Sequence, residues 1–313
     1  MEYIKGGLIC QPDRNYDWMH YYASLGTSVE FDTFIRIFFT TRSKQDEHGY
    51  FKAYIGFVDC DKNDPSIVLR TGEQPVLQSG LAGTFDEHGT MVADVIEYDN
   101  KYYMYYMGWQ RSGTVPYLIR LGLAISDDGE HFTKVSDGPV IGISRFLPFG
   151  IGNVSILIED GEFHMWYTHY CPWIKTEQNG YRPNYDIRFA KSKNGLDWEF
   201  GQQCIVPDNE NEALATPCVR KINGQYHMWY SFRPSVDTTT GKSGVYHLGY
   251  AVSDDGQKWS RADNEMTMPL SPSGWDAHML CYPDVLQTEK DIFLFYSGNN
   301  YGQDGFGYAK MIF

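Results

Sequence analysis

The stretch Glu212-Ala-Leu-Ala-Thr-Pro-Cys-Val219, continued by Asn223-Gly224, Tyr226-His-Met-Trp-Tyr230 and Tyr246-His-Leu-Gly-Tyr-Ala-Val-Ser-Asp-Asp-Gly-Gln-Lys-Trp259, holds one structural unit of the chain. Its parts run in a fixed order: an apolar run, a turn, an alternating aromatic run, a loop, a short third strand and a Ser-Asp-Asp-Gly turn. Alternation over five residues buries one face of a strand, and Asn-Gly supplies the backbone angles of a tight hairpin. The aromatic run recurs as Ile35–Phe39, Tyr102–Tyr106, Phe163–Tyr167 and Ile292–Tyr296. The copies lie roughly 60 to 70 residues apart, a period that fits one four-stranded propeller blade each.

The segment before each aromatic run, such as Pro217–Ile222, is expected to line a central axis. Third strands are read at Leu121–Ile125, Ile187–Ala190 and Leu248–Val252. The turns that follow, Ser126-Asp-Asp-Gly129, Ser192-Lys-Asn-Gly195 and Ser253-Asp-Asp-Gly256, each precede an aromatic residue (Phe132, Trp198, Trp259). They read as self-capped turns of the sialidase "Asp box" type, too short for a calcium loop. The expected fold is an all-β, five-bladed β-propeller of four-stranded antiparallel blades in one domain, 1–313. Blades are expected at 11–80, 81–143, 144–208, 209–272 and 273–313 plus 1–10, because the last repeat stops after its third strand. The strand around Tyr3 to Ile9 would then close the ring and protect its edge.

Composition agrees: 24 Tyr, 18 Phe, 8 Trp and 31 Gly in 313 residues suit a turn-rich β globule with a sizeable core. A formal net charge of -14 excludes an extended nucleic-acid or anionic-membrane surface. A neutral partner, a sugar or oligosaccharide, fits better. No run reaches membrane-spanning length and no apolar leader is seen, so a cytoplasmic protein is expected. The six cysteines carry no C-x-x-C pair and read as buried free thiols.

Four loops lead into innermost strands: Thr84–Met91, Arg145–Asn153, Asn209–Glu212 and Ser273–His278. Superposed on the aromatic runs, His88, Phe149, Glu212 and His278 share one position, with Asp86 and Asp276 two residues earlier. Glycosidic bond cleavage uses two carboxyl groups about 5 to 10 Å apart, one neutral and one ionised. Asp86, Glu212 and Asp276 are the candidate catalytic acids, supported by Glu87, His88 and His278. Arg42 and Arg233, which follow aromatic strands, could hold a carboxylate, phosphate or pyrophosphate. Trp109, Tyr170, Trp173, Trp275, Asn300 and Tyr301 are candidate sugar-binding residues. No cofactor is expected beyond a single cation in the axial channel.

Phe85-Asp-Glu-His-Gly-Thr-Met-Val92 with Tyr102-Tyr-Met-Tyr-Tyr106 resembles the second-blade segment of glycoside hydrolase family 32, within the five-bladed superfamily of families 32, 43 and 68. The chain is also similar to bacterial propellers associated with surface-polysaccharide gene clusters. That likeness runs through Gly83-Thr-Phe-Asp86, Tyr117–Gly129, Glu212–Pro217, Gly274-Trp-Asp276, Tyr282-Pro283, Asn299-Asn-Tyr-Gly302 and Gly305-Phe-Gly307. The resemblance implies hydrolysis of a glycosidic bond, or glycosyl transfer from an activated sugar donor during polysaccharide assembly, with a non-catalytic glycan binder as the rival. The family 32 triad is displaced. Ser24–Ser28 has no acid where that family has Asn-Asp-Pro, Gly152-Asn153-Val154 replaces Arg-Asp-Pro, and Ala215-Thr216 replaces Glu-Cys.

Overall fold

Each aromatic run is the second strand of a four-stranded antiparallel sheet, and there are five such sheets among the described residues, 1–176, 180–234 and 244–312, of this computed structural model. Blade 1 contains Tyr21–Glu30, Phe34–Arg42, Ala53–Asp61 and Val68–Thr71; blade 2 contains Thr90–Tyr98, Lys101–Arg111, Tyr117–Ser126 and Thr133–Lys134. Blade 3 contains Ile151–Glu159, Glu162–Tyr170, Tyr185–Ser192 and Glu199–Gln203, and blade 4 Ala213–Ile222, Gln225–Arg233, His247–Ser253 and Ser260–Arg261. Blade 5 takes Cys281–Gln287, Ile292–Ser297 and Phe306–Ile312 from one end of the chain and Glu2–Cys10 from the other, so the N-terminal strand closes the ring as expected. Residues 235–243, inside the quoted stretch, lie outside the described residues. No described helix is long and apolar enough to cross a membrane.

Third-strand glycines explain the aromatic runs' tolerance for bulk. Gly122 lies across from Tyr106 and Gly249 across from Tyr230. A Cβ at either position would come within 2.3 and 2.5 Å of the tyrosine ring. Five of the six apolar cores among the described residues lie between neighbouring blades, as with Ile37 and Phe295 for blades 1 and 5 or Trp166 and Met228 for blades 3 and 4, and the sixth gathers Ile119, Tyr170, Ala215 and Cys281 of blades 2 to 5. The Ser-x-Asp/Asn-Gly turns are structural. Ser126, Ser192 and Ser253 hydroxyls accept the N–H of Gly129, Gly195 and Gly256 at 2.9, 3.0 and 2.9 Å, and those glycines have φ of +70°, +72° and +70°. The glycine carbonyls then accept bonds from the preceding blade: Arg36 to Gly129, Tyr105 to Gly195 and Trp166 to Gly256.

A ring of side chains surrounds the axis. Thr27, Asp94, Ser155, Cys218 and Asp284 occupy one repeat position, opposite Phe38, Tyr105, Trp166, Trp229 and Phe295. Asp94 accepts the Ile156 N–H at 2.7 Å, Ser155 the Val219 N–H at 2.9 Å, Cys218 the Val285 N–H at 3.1 Å and Asp284 the Ser28 N–H at 2.8 Å. The Thr27 hydroxyl donates to Asp94 at 3.0 Å and completes the circuit. Arg220 donates to Asp284 at 2.9 Å within the ring.

Asp284→Ala would leave the partly buried Arg220 guanidinium without its buried carboxylate partner. A loss of about 3–5 kcal/mol is expected, read as a lower midpoint in urea. Burial raises the Asp94 carboxyl from 3.8 to about 6, against the Arg220 charge that acts to lower it. The folded chain therefore holds this proton more tightly than the unfolded one. The contribution of Asp94 is fully present below its unfolded value and is lost as pH rises through its folded value. Urea titrations of the native chain and Asp94→Asn between pH 4 and 7 should show the stability difference shrinking with rising pH; a flat difference would refute this.

Candidate active site

Every innermost strand carries a register irregularity at the same level, between Leu25 and Thr27, Val92 and Asp94, Ile151 and Val154, Ala215 and Cys218, and Cys281 and Asp284. Bulges bend a strand and redirect its side chains. Thr216 and Tyr282 sit there with φ of 50° and 55°. Hydroxyls of the neighbouring blade hold the displaced backbone: Ser297 accepts from Leu25, Thr40 from Val92, Thr168 from Thr216 and Ser231 from Tyr282, at 2.8 to 3.2 Å. Above this level the axis opens into a cavity of about 450 Å³, within the usual size of small-ligand sites.

Four second-strand residues, each three positions past the end of its aromatic run, reach the cavity: Arg42, Trp109, Tyr170 and Arg233. Arg182 joins them, with Tyr22, Tyr117, Tyr185, Tyr246, Tyr282 and Tyr301. None of the described lining residues is Asp or Glu. The Arg42 guanidinium lies 4.5 Å from the ring centres of both Tyr22 and Phe51 and 5.9 Å from that of Trp109. Burial pulls its pKa below the usual value, opposed by the nearby Tyr22, Tyr282 and Tyr117 hydroxyls. Its side chain makes no hydrogen bond or ion pair to a described residue, so its donors remain available. Arg233, only 4% exposed, gives one bond to the Pro183 carbonyl at 2.7 Å, while its Nε is buried without a partner. Burial pushes the Tyr170, Tyr185 and Tyr282 hydroxyls well above the ordinary phenol value, keeping them neutral donors. Such a site binds an anionic group through guanidinium donors and sugar faces through rings.

The three acids singled out by the repeat pattern do not line this cavity. Asp86 is 2% exposed and is bound by Lys134 at 2.5 Å, Thr84 at 2.9 Å and the Tyr106 hydroxyl at 3.4 Å. Asp276 is bound by Lys5 at 2.6 Å and the Tyr296 hydroxyl at 3.0 Å. Glu212 receives both terminal nitrogens of Arg261, at 2.9 and 3.1 Å, and the Asp208 N–H at 2.6 Å. Lys134, Arg261 and Lys5 lie on the fourth strands, opposite Ala124, Ala251 and Ala309. Each acid therefore staples its lead-in loop to the outer strand of its own blade, which is why an acid recurs in these three loops. Blade 3 replaces the ionic staple with rings: Phe200 sits opposite Ala190 and packs on Tyr167 and Phe146.

The supporting residues are also dispersed. Glu87 accepts from Gln110 and the Gly83 N–H, and His88 Nδ1 accepts the Arg111 N–H. His278 is exposed, with its backbone N–H on Asn299. Among the described residues His88 and His278 belong to no metal-binding cluster. Trp173 packs edge-on against Tyr117 behind the cavity wall, Trp275 stacks on Tyr296 inside blade 5, and Asn300 is exposed on the turn whose next residue, Tyr301, lines the cavity. Sequence reasoning found Arg42, Arg233, Trp109, Tyr170 and Tyr301. It missed Tyr22, Tyr117, Arg182, Tyr185, Tyr246 and Tyr282, several of which reach the site through bulges or loops that leave no periodic trace.

No family model matches the chain. An uncharacterized protein of Mycobacterium tuberculosis (strain CDC 1551 / Oshkosh) is 30% identical over 315 residues, covering 99% of this chain and 99% of its own length. A 1,2-beta-oligomannan phosphorylase of Thermoanaerobacter sp. (strain X514) is 29% identical over 162 residues, 51% of this chain and 46% of that protein. Among solved structures, one described under the GH130 family of mannoside phosphorylases, which contains glycoside hydrolases that target beta-1,2 mannosidic linkages in Candida mannan, superposes with a TM-score of 0.73 at 15% identity, over 99% of this chain and 93% of its own. The propeller fold is common to both.

The staple reading predicts a stability effect from the acids. Asp86→Asn and Glu212→Gln should each lower stability by about 1–3 kcal/mol, since each breaks a buried charge-assisted bond to a partly exposed cation. Thermal unfolding checks the loss. Affinity for a cavity ligand, measured calorimetrically on the folded variants, should stay within about twofold.

Proposed function

The chain belongs to the same family as the Mycobacterium tuberculosis protein, and we propose that it is a carbohydrate-active enzyme working at a glycosidic bond in the axial cavity, with a phosphoryl group as part of its substrates. The observation that carries this reading is the pairing of Arg42 and Arg233, both without carboxylate partners among the described residues, in an aromatic cavity. A buried cation without a counter-charge is unfavourable, and an anionic ligand relieves it. The partial likeness to a phosphorylase supports the choice of phosphate over other anions.

Phosphorolysis needs no carboxylate nucleophile from the protein. An oxygen of hydrogen phosphate bonds to the anomeric carbon, the bond from that carbon to the glycosidic oxygen breaks with its electron pair passing to that oxygen, and the leaving oxygen takes up the proton that hydrogen phosphate gives up. The products are a sugar 1-phosphate and a shortened glycan; run backwards, the same step transfers sugar from that activated donor to an acceptor. Arg42 and Arg233 would hold the phosphate and offset its charge. Neutral Tyr hydroxyls and the Trp109 face would orient the sugar. The lack of acids among the described lining residues also favours a second reading, a binder of phosphorylated glycans that leaves the bond intact.

Purified protein incubated with β-linked manno-oligosaccharides should yield a sugar 1-phosphate only when inorganic phosphate is present. Arg42→Ala and Arg233→Ala should each lower kcat/KM by about 10- to 100-fold, the loss of one charge-assisted phosphate contact. Release of free sugar without phosphate would identify a hydrolase. Saturable binding of an intact phosphorylated glycan with no turnover would identify the binder.

A further inference from the structure

Blade 3 carries a second polar cluster on the face turned away from the cavity. Tyr170 and Tyr185 are paired across its second and third strands and line the cavity, so the flanking residues point the other way. His169 pairs directly with Asp186, and one step on, Cys171 bonds through its N–H to the Asn184 carbonyl at 2.9 Å. The register thus places His169, Cys171, Asn184 and Asp186 side by side on one face. Nδ1 of His169 is 2.9 Å from Oδ1 of Asp186 and 3.9 Å from Sγ of Cys171. One ligand atom from each of the three residues lies within 4.8 Å of the others.

This arrangement is not a nucleophilic triad, in which the two imidazole nitrogens face the acid and the thiol separately. Here both partners approach the same nitrogen, as ligands around a common centre do. Bonds of about 2.0–2.3 Å from a metal ion to nitrogen, oxygen and sulfur place such atoms about 3–4 Å apart. A second observation points to the same place. Asn184 is 8% exposed and its Oδ1 is buried without a partner, although its Nδ2 donates to the Glu210 carbonyl at 3.0 Å. Buried polar oxygens are almost always satisfied, so an unsatisfied one on a residue that shares a face with three potential ligands leaves an acceptor open for a further partner.

We propose that His169, Cys171 and Asp186 form a zinc site in blade 3, with the Asn184 amide oxygen available as a fourth ligand. The set of one nitrogen, one sulfur and carboxylate oxygen suits Zn²⁺ better than the all-oxygen preference of Ca²⁺ or Mg²⁺. Coordination through Nδ1 places the imidazole proton on Nε2, and the Cys171 thiol proton is released to solvent. Zn²⁺ with one thiolate and one carboxylate leaves the centre formally neutral. Arg188, which already grips Asp186 at 2.9 and 3.0 Å, then orients the carboxylate from outside. Cys171 is partly exposed and gives the ion access. The metal would join the strand ends that hold Tyr170 and Tyr185 in the cavity wall.

The test uses the full chain, free of any histidine tag. Zinc content after dialysis should approach one equivalent, and Co²⁺ added to metal-free protein should give thiolate-to-metal charge-transfer absorption in the near ultraviolet. Cys171→Ser should abolish that absorption and weaken Zn²⁺ binding by about tenfold or more, with His169→Gln weakening it similarly, both variants keeping the native circular dichroism spectrum. Cys60→Ala, a buried thiol in blade 1, should retain the absorption. Absence of the band in the native chain, or its persistence in Cys171→Ser, would overturn the assignment whatever the outcome for phosphate-dependent turnover.

Discussion

The hydrogen-bonded circuit of Thr27, Asp94, Ser155, Cys218 and Asp284 is what holds five sheets at one distance from the axis. Innermost strands present one edge to their own blade and leave the other without a strand partner. Such an edge, buried near an axis, must be satisfied by something other than a neighbouring strand. At four junctions a short acceptor from one blade reaches the backbone N–H of the next, at the fifth the Thr27 hydroxyl donates to Asp94, and these bonds set the angle between blades. The inter-blade cores then fill the wedges that this angle creates. Two of the four backbone acceptors are carboxylates, and the partly buried Arg220 offsets their charge.

The cavity follows from the same constraint. Just above the circuit each inner strand bulges, and serine or threonine hydroxyls from neighbouring blades support the displaced backbone at four of the five junctions. At the fifth, between blades 2 and 3, the corresponding residue is Met107, which lines the cavity instead. Left-handed backbone at Thr216 and Tyr282 is strain located where both residues line the cavity. The residues that line the cavity sit mainly at strand ends, at the bulges and on the connecting loops.

The fold was legible because blade-building is repetitive: aromatic strand, glycine opposite it, capped turn. The same repetition obscured the site. Asp86, Glu212 and Asp276 recur because every blade of that type needs its loop fastened, and the matching cations Lys134, Arg261 and Lys5 recur with them on the outer strands. Counting both charges would have exposed the pairing. The cavity instead uses a repeat position that holds Arg in blades 1 and 4, Trp in blade 2 and Tyr in blade 3: Arg42, Arg233, Trp109 and Tyr170. Tyr22 and Tyr246 arrive through irregular backbone and Arg182 on a two-residue strand within a connecting loop, so they carry no period to read.

Blade 5 joins the two extremities of the chain, with Glu2 opposite Ile312 and Cys10 opposite Phe306. Because the strands run antiparallel, tension applied at the two ends loads the backbone hydrogen bonds one at a time from Glu2 inward. The closure is a zipper with respect to such a pull and not a shear clamp. Peeling it takes Lys5 from Asp276 and uncovers the edge of Phe306–Ile312 while the remaining blades are still whole. The mechanical weak point of the ring is thus the seam in which a strand held on a single edge, Glu2–Cys10, meets a strand that already has a second partner in Ile292–Ser297.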